Sequence, residues 1–90
     1  MARVHQESFQ CAERFCKRFR RRVQEVREGA KVSMYALEQR SGVSREMIAL
    51  IECGDSCPTL FVVRRLAFGL GVSVEELLAG LDDSGVVGVA

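Results

Sequence analysis

The sequence predicts an all-α domain of five short helices, and three observations predict it. Apolar residues recur by threes and fours along most of the chain, the period of a helix face turned to a core. From Ser33 onward each such run opens on Ser or Thr and closes on glycine: Ser33 to Gly42, Ser44 to Gly54, Thr59 to Gly71, Ser73 to Gly80. These are the residue types that cap helix starts and stops. In the middle, Leu37 to Gly54 reads as the end of one helix, a tight turn and a short second helix.

The first helix is expected from about Ser8, a candidate N-cap. Phe9, Ala12, Phe15, Cys16, Phe19, Val23 and Val26 form one apolar stripe, so a single long helix can run to Arg27. Lys17, Arg18, Arg20, Arg21 and Arg22 occupy the other face. Phe9 and Phe15 need cover, from the domain's own core or from the same residues of a second subunit. Gly29 marks the end of this helix.

Ser33 caps helix two, with Val32 ahead of it as a staple residue. That helix runs from about Met34 to Ser41 and buries Leu37, with Tyr35 or Ala36 beside it. Gly42 supplies the left-handed stop, Val43 an apolar plug and Ser44 the next cap. Helix three, Arg45 to about Cys53, turns Met47, Ile48 and Ile51 inward. Gly54-Asp55-Ser56 is a turn cluster, and Pro58 sets up Thr59 as a cap. Helix four, about Leu60 to Leu70, has Leu60, Val63, Leu66, Ala67 and Leu70 as its core face. Ser73-Val74-Glu75-Glu76 is a capping box opening helix five, which Gly80 ends. The tail, 81–90, has no helical period; it reads as flexible, or as a short strand added to a partner.

Ninety residues support one domain. No apolar run approaches the roughly 20 residues that span a bilayer. The charged start lacks the apolar segment of a secretory signal, so a cytoplasmic protein is expected. Net charge is +1, unevenly spread: residues 1–31 hold nine Lys/Arg and four Glu (+5), and residues 32–90 four Arg and eight Asp/Glu (−4). This suggests a basic surface on a more acidic body, or simply a solvated helix face. The four cysteines, Cys11, Cys16, Cys53 and Cys57, fit no usual zinc spacing, and a cytosolic setting argues against a disulfide framework. They are expected as small core or surface residues, with no metal and no cofactor. Nothing resembles a phosphate-cradling loop or a catalytic constellation, so no enzyme is expected.

A short helix held against its predecessor by a three- or four-residue turn is the helix-turn-helix, whose second helix can enter the DNA major groove. An ordinary helical hairpin is the bland alternative. If helix three enters the groove, Arg45 is the best base reader, because a guanidinium can donate twice to guanine. Glu46 can accept from cytosine or merely favour the helix dipole. Ala49 and Leu50 can meet thymine methyls, although Leu50 also fits the core. Phosphates would lie at Ser33, Ser44, Ser56 and Thr59, with charge from Arg20 and Arg21.

The ordered pattern from Phe19 to Gly80 closely resembles the XRE family, the lambda-repressor-like helix-turn-helix domains. FRRRVQEVRE resembles the family's first helix, and VSMYALEQRSGVSREMIALIECG its helix-turn-helix. Pro58-Thr59-Leu60, Leu66-Ala67 and LGVSVEELL resemble the last two helices. The resemblance implies a compact five-helix domain over 19–80, with residues 1–18 as an N-terminal helical extension and 81–90 as a tail. It implies operator DNA as partner, binding as a homodimer, and regulation of transcription. Some members are antitoxins, so a protein-interaction module is the alternative. It further implies a partly buried ion pair between Arg27 and Glu52. The chain departs from the family pattern at Met34, where glutamine is frequent, at Glu38, where alanine is usual, and at Leu50, where a polar reader is common. Glu38 must lean out or cap the neighbouring helix. A redox or metal sensor built on Cys53 and Cys57 is a third reading.

Overall fold

Five helices appear in a computed structural model that describes residues 2–54 and 57–82: α1 (Ala2–Gly29), α2 (Met34–Ser41), α3 (Arg45–Cys53), α4 (Leu60–Leu70) and α5 (Val74–Leu78). Ser56, expected at a phosphate, and residues 83–90, most of the expected tail, lie outside the described residues. Among the described residues no helix is long and apolar enough to cross a membrane.

The caps form as the residue types require. Ser33, Ser44, Thr59 and Ser73 sit in extended conformation, and their hydroxyls accept from the backbone N–H three residues on. The capping box at Ser73 and Glu76 is complete. Between α2 and α3, Gly42 takes a φ of 76°, Val43 is buried, and the Ser41 hydroxyl accepts from the Val43 N–H at 3.0 Å. That turn therefore satisfies its own polar groups while plugging the core.

α1 differs from the sequence expectation at its start. It begins at Ala2, and Ser8 is an exposed interior residue instead of a cap. At about 1.5 Å per residue its 28 residues account for the long axis of the molecule, 44 Å against 22 and 19 Å. Residues 2–18 and the start of the five-helix domain thus share one rod. At its end the left-handed residue is Lys31 (φ 59°), two positions after Gly29.

Phe19, Val23, Leu37, Ile48, Ile51, Val63, Leu66, Ala67 and Leu77 form the centre of the core. α2 packs closely on α4 because Gly69 has no side chain: a Cβ there would stand 2.8 Å from that of Ser41 and 2.9 Å from Leu37 Cδ1. One expectation fails, that Leu60 joins the core face, and one either/or is decided. Leu60 is 81% exposed, because it opens α4 ahead of the first residues that reach the core, Val62 and Val63. Tyr35 is exposed, and Ala36 is the residue half-buried beside Leu37.

The cysteines also depart from expectation. Cys16 and Cys57 are disulfide-bonded, while Cys11 and Cys53 are free. Cys53 and Cys57 are therefore no mutual pair. The bond ties the middle of α1 to the segment entering α4, which C-x4-C and C-x3-C spacings do not disclose, because its partners are 41 residues apart. A loop of that length gives about 4 kcal/mol in the chain-entropy account. Cys57→Ser, or reduction of the native chain, is expected to lower unfolding free energy by about 2–4 kcal/mol. Urea titrations with and without reductant check this; coincident curves would refute it.

Candidate nucleic-acid interface

α3 is held from behind by three polar ties. Arg27 Nε donates to Glu52 Oε2 at 2.7 Å and Arg27 Nη2 to Glu52 Oε1 at 3.0 Å, a bidentate pair. Arg27 Nη1 also donates to the Val32 carbonyl at 2.9 Å. The two side chains are only 11% and 4% exposed, so one residue joins α1, the start of α2 and the end of α3 in a dry setting. The hydrogen bond to Glu52 pushes the Arg27 guanidinium above its ordinary value, against the opposing pull of burial. A raised cation contributes fully below its unfolded value and fades only as pH climbs through the raised one. The Arg27 contribution is thus constant over the whole neutral range.

The second tie is Arg20, whose Nη1 donates to the Cys53 carbonyl at 2.6 Å. Gly54 follows with φ 86°, and a Cβ there would run into the Arg20 guanidinium. Arg20 therefore closes the C-terminal end of α3, where a cation complements the helix dipole. That bond occupies one of the donors expected to serve a phosphate. The third tie lies at the other end: the Arg45 N–H donates to Glu38 Oε2 at 3.1 Å. Glu38 thus caps the neighbouring helix, the second of the two roles open to it.

The outward side of α3 follows from helix geometry. Arg45, Glu46, Ala49 and Leu50 are neighbours on one face, opposite the buried Ile48 and Ile51. Arg45 and Glu46 are exposed, Ala49 is half-buried, and Leu50 is 44% exposed. Leu50 is consequently no core residue. Cys53 is exposed at the far end of the same strip.

The Arg45 guanidinium stands 5.6 Å over the Tyr35 ring and 3.7 Å from Glu38 Oε1. Tyr35, Glu38 and Arg45 thus form an exposed cluster where the start of α2 meets the start of α3. The part played by Tyr35 has no local signal in the sequence, because its partner is ten positions away. Ser33, Ser44 and Thr59 are exposed at their helix N-termini. Arg21 is also exposed, but it stands in a basic group with Arg18 and Arg22 beside Gly80 and Leu81. Among the described residues no group of three or more His, Cys, Asp or Glu is arranged to hold a metal ion.

A helix-turn-helix family model matches residues 23–77, well over half of the chain. No curated protein and no solved structure matches it.

Truncating Arg27 to Ala strands Glu52 as a buried unpaired charge and is expected to cost about 3–5 kcal/mol. Replacing the pair together, Arg27→Met with Glu52→Leu, should cost much less, since no lone charge remains. Denaturant unfolding of the two variants checks this; equal losses would contradict the pairing.

Proposed function

Because the chain belongs to the XRE-type, lambda-repressor-like helix-turn-helix family, we propose that it is a sequence-specific DNA-binding regulator of transcription. It acts as a homodimer and presents α3 to the major groove of double-stranded DNA. The observation that carries this reading is the outward strip of α3, Arg45, Glu46, Ala49 and Leu50, on a helix whose other side is locked by Arg27 and Glu52. A rigid helix with an exposed face of about major-groove dimensions is what direct readout needs.

Arg45 reads guanine through two parallel hydrogen bonds, and Glu46 accepts from cytosine N4. Ala49 and Leu50 lie against thymine methyl groups. The exposed N-termini at Ser33, Ser44 and Thr59 hold phosphate oxygens through their amides and hydroxyls. Arg21 adds sequence-independent attraction. With Arg20 engaged at Cys53, this phosphate set is smaller than the charge count suggests.

A second reading, an antitoxin-type or other protein-interaction module on the same fold, is supported by the face of α4. Leu60, Phe61 and Phe68 are 81%, 69% and 70% exposed there, more than scattered surface residues need.

Binding-site selection from random duplex DNA tests the leading reading. Arg45→Ala is expected to relax preference at one site position by about 1–3 kcal/mol, leaving the rest of the site intact. Arg21→Ala should weaken all sequences alike and flatten the salt dependence. Indistinguishable behaviour of the two variants, or no enriched sequence at all, would count against the proposal.

A further inference from the structure

Arg45 is flanked by two side chains of α2, Tyr35 and Glu38, that have no part in the base contacts proposed above. They stand one helical turn apart, so they share a face of α2. Across the turn at Gly42 that face meets the first residue of α3. The Arg45 guanidinium lies over the Tyr35 ring at 5.6 Å. Glu38 touches Arg45 at both ends: Oε2 accepts the backbone N–H at 3.1 Å, and Oε1 stands 3.7 Å from the side-chain Nε. The longer distance is charge attraction without a hydrogen bond. The guanidinium is thus aimed by a ring and a carboxylate, not bonded by them.

Glu38 is not needed to open α3. The Ser44 hydroxyl already accepts the Met47 N–H at 3.1 Å, the ordinary work of an N-cap. An uncharged amide would accept the Arg45 N–H as well as a carboxylate does. What the carboxylate adds is its charge, at the corner where the starts of α2 and α3 meet. Glu46 brings the same charge one position further along α3, but consecutive residues of a helix do not face each other, so it does not hold the Arg45 side chain in this way.

We propose that Tyr35 and Glu38 set the base selectivity of Arg45, Tyr35 as a positioning residue and Glu38 by denying the guanidinium a phosphate. This rests on the reading of α3 as the helix in the major groove. An arginine at the start of such a helix has two kinds of acceptor in reach: base edges, and backbone phosphates that every sequence offers. A bond to phosphate favours all duplexes alike and dilutes selection. The Glu38 carboxylate keeps phosphates away from this corner. The paired acceptors of a guanine edge then become the partner that Arg45 gains on binding. Tyr35 limits the swing of the side chain by holding the cation over its ring face.

Site selection with the native chain first yields a duplex and the guanine position at which Arg45→Ala relaxes preference. Affinities for that duplex, for its single-base variants at this position and for a random-sequence duplex are then compared at low salt. Glu38→Gln keeps an oxygen for the Arg45 N–H and removes the charge. It is expected to bind the random duplex about threefold more tightly, the effect of deleting one like charge about 6 Å from a phosphate in water. It should gain less on the selected duplex, so that preference at the guanine position narrows. Glu46→Gln, the same loss of charge without the Arg45 contact, should leave that preference unchanged. Tyr35→Ala should narrow it, and Tyr35→Phe, which keeps the ring, should restore it. Tyr35 is the sole tyrosine of a chain without tryptophan. The tyrosine band in near-UV circular dichroism therefore reports this cluster before DNA is added, and it should change in Arg45→Ala but not in Arg21→Ala. All these positions lie outside the core, so thermal midpoints should hold. Equal gains of Glu38→Gln on every duplex, an unchanged guanine preference in Tyr35→Ala, or a tyrosine band indifferent to Arg45→Ala would overturn the proposal. A native chain that selects no duplex defeats the functional reading and this inference with it. A native chain that selects one, while Glu38→Gln and Tyr35→Ala keep its preference, defeats this inference alone.

Discussion

The orientation of α3 depends on the Arg27–Glu52 pair. Packing alone fixes α3 only loosely, since Ile48 and Ile51 are apolar knobs that tolerate rotation about the helix axis. A bidentate guanidinium–carboxylate contact tolerates far less, because both N–H donors must meet both oxygens at once. Its setting, with Glu52 only 4% exposed, removes competing water. Taking two charges out of water opposes their attraction, so the pair contributes geometry more than net stability. The third donor of Arg27, on the Val32 carbonyl, extends this constraint to the start of α2. The two helices that meet at Tyr35 and Arg45 are therefore positioned by one side chain of α1.

The same chemistry recurs at other helix ends. Arg20 reaches the last carbonyl of α3, Arg65 Nε the Ser41 carbonyl ending α2, Arg22 the Glu76 carbonyl in α5, and Arg18 the Leu81 carbonyl beyond it. Carbonyls near helix ends lack intrahelical donors and carry the negative end of the dipole, so an arginine satisfies both needs. A cation used this way is partly neutralised by its own fold. The basic character of residues 1–31 thus belongs in large part to architecture, and the electrostatic reach toward a polyanion is less than a count of arginines implies.

Much of this was legible in the sequence, for identifiable reasons. Ser/Thr starts and glycine stops are local signals, and α2 to α4 begin and end where those residues stand. Gly42-Val43-Ser44 announces its turn because each position has one physical job. Contacts made at a distance left no such trace. The Cys16–Cys57 bond, the Arg20 tie to Cys53 and the stacking of Tyr35 on Arg45 join residues far apart in sequence, and nothing in the neighbourhood of either partner points to the other. Arg27 and Glu52 are equally remote, and were legible only because a family resemblance carries long-range pairing that periodicity lacks. The start of α1 was misplaced because Ser8 has the type of a cap without its setting: helix continues on both sides of it. Leu50 was ambiguous because an apolar residue beside an apolar face fits the core by type, and only its angular position puts it outside.

The cluster at the start of α3 shows how the proposed interface divides specificity from affinity. Glu38 accepts the Arg45 N–H, so its carboxylate takes one of the amides at the N-terminus of α3 that a phosphate at Ser44 would share. A fixed negative charge there repels the DNA backbone and lowers affinity for every sequence alike. The Arg45 side chain is held more lightly. Its approach to Glu38, 3.7 Å with the arginine 56% exposed, is a surface pair of little energy. Stacking over Tyr35 at an exposed site adds about 0.5–1 kcal/mol. Both restrain the guanidinium without engaging it fully, so a guanine edge offering two acceptors can replace Glu38 at small cost while the Tyr35 face keeps the side chain extended. A base that offers no such pair leaves Arg45 with Glu38 and the repulsion uncompensated. On this reading the acidic residue that weakens general binding is also what makes the correct base count.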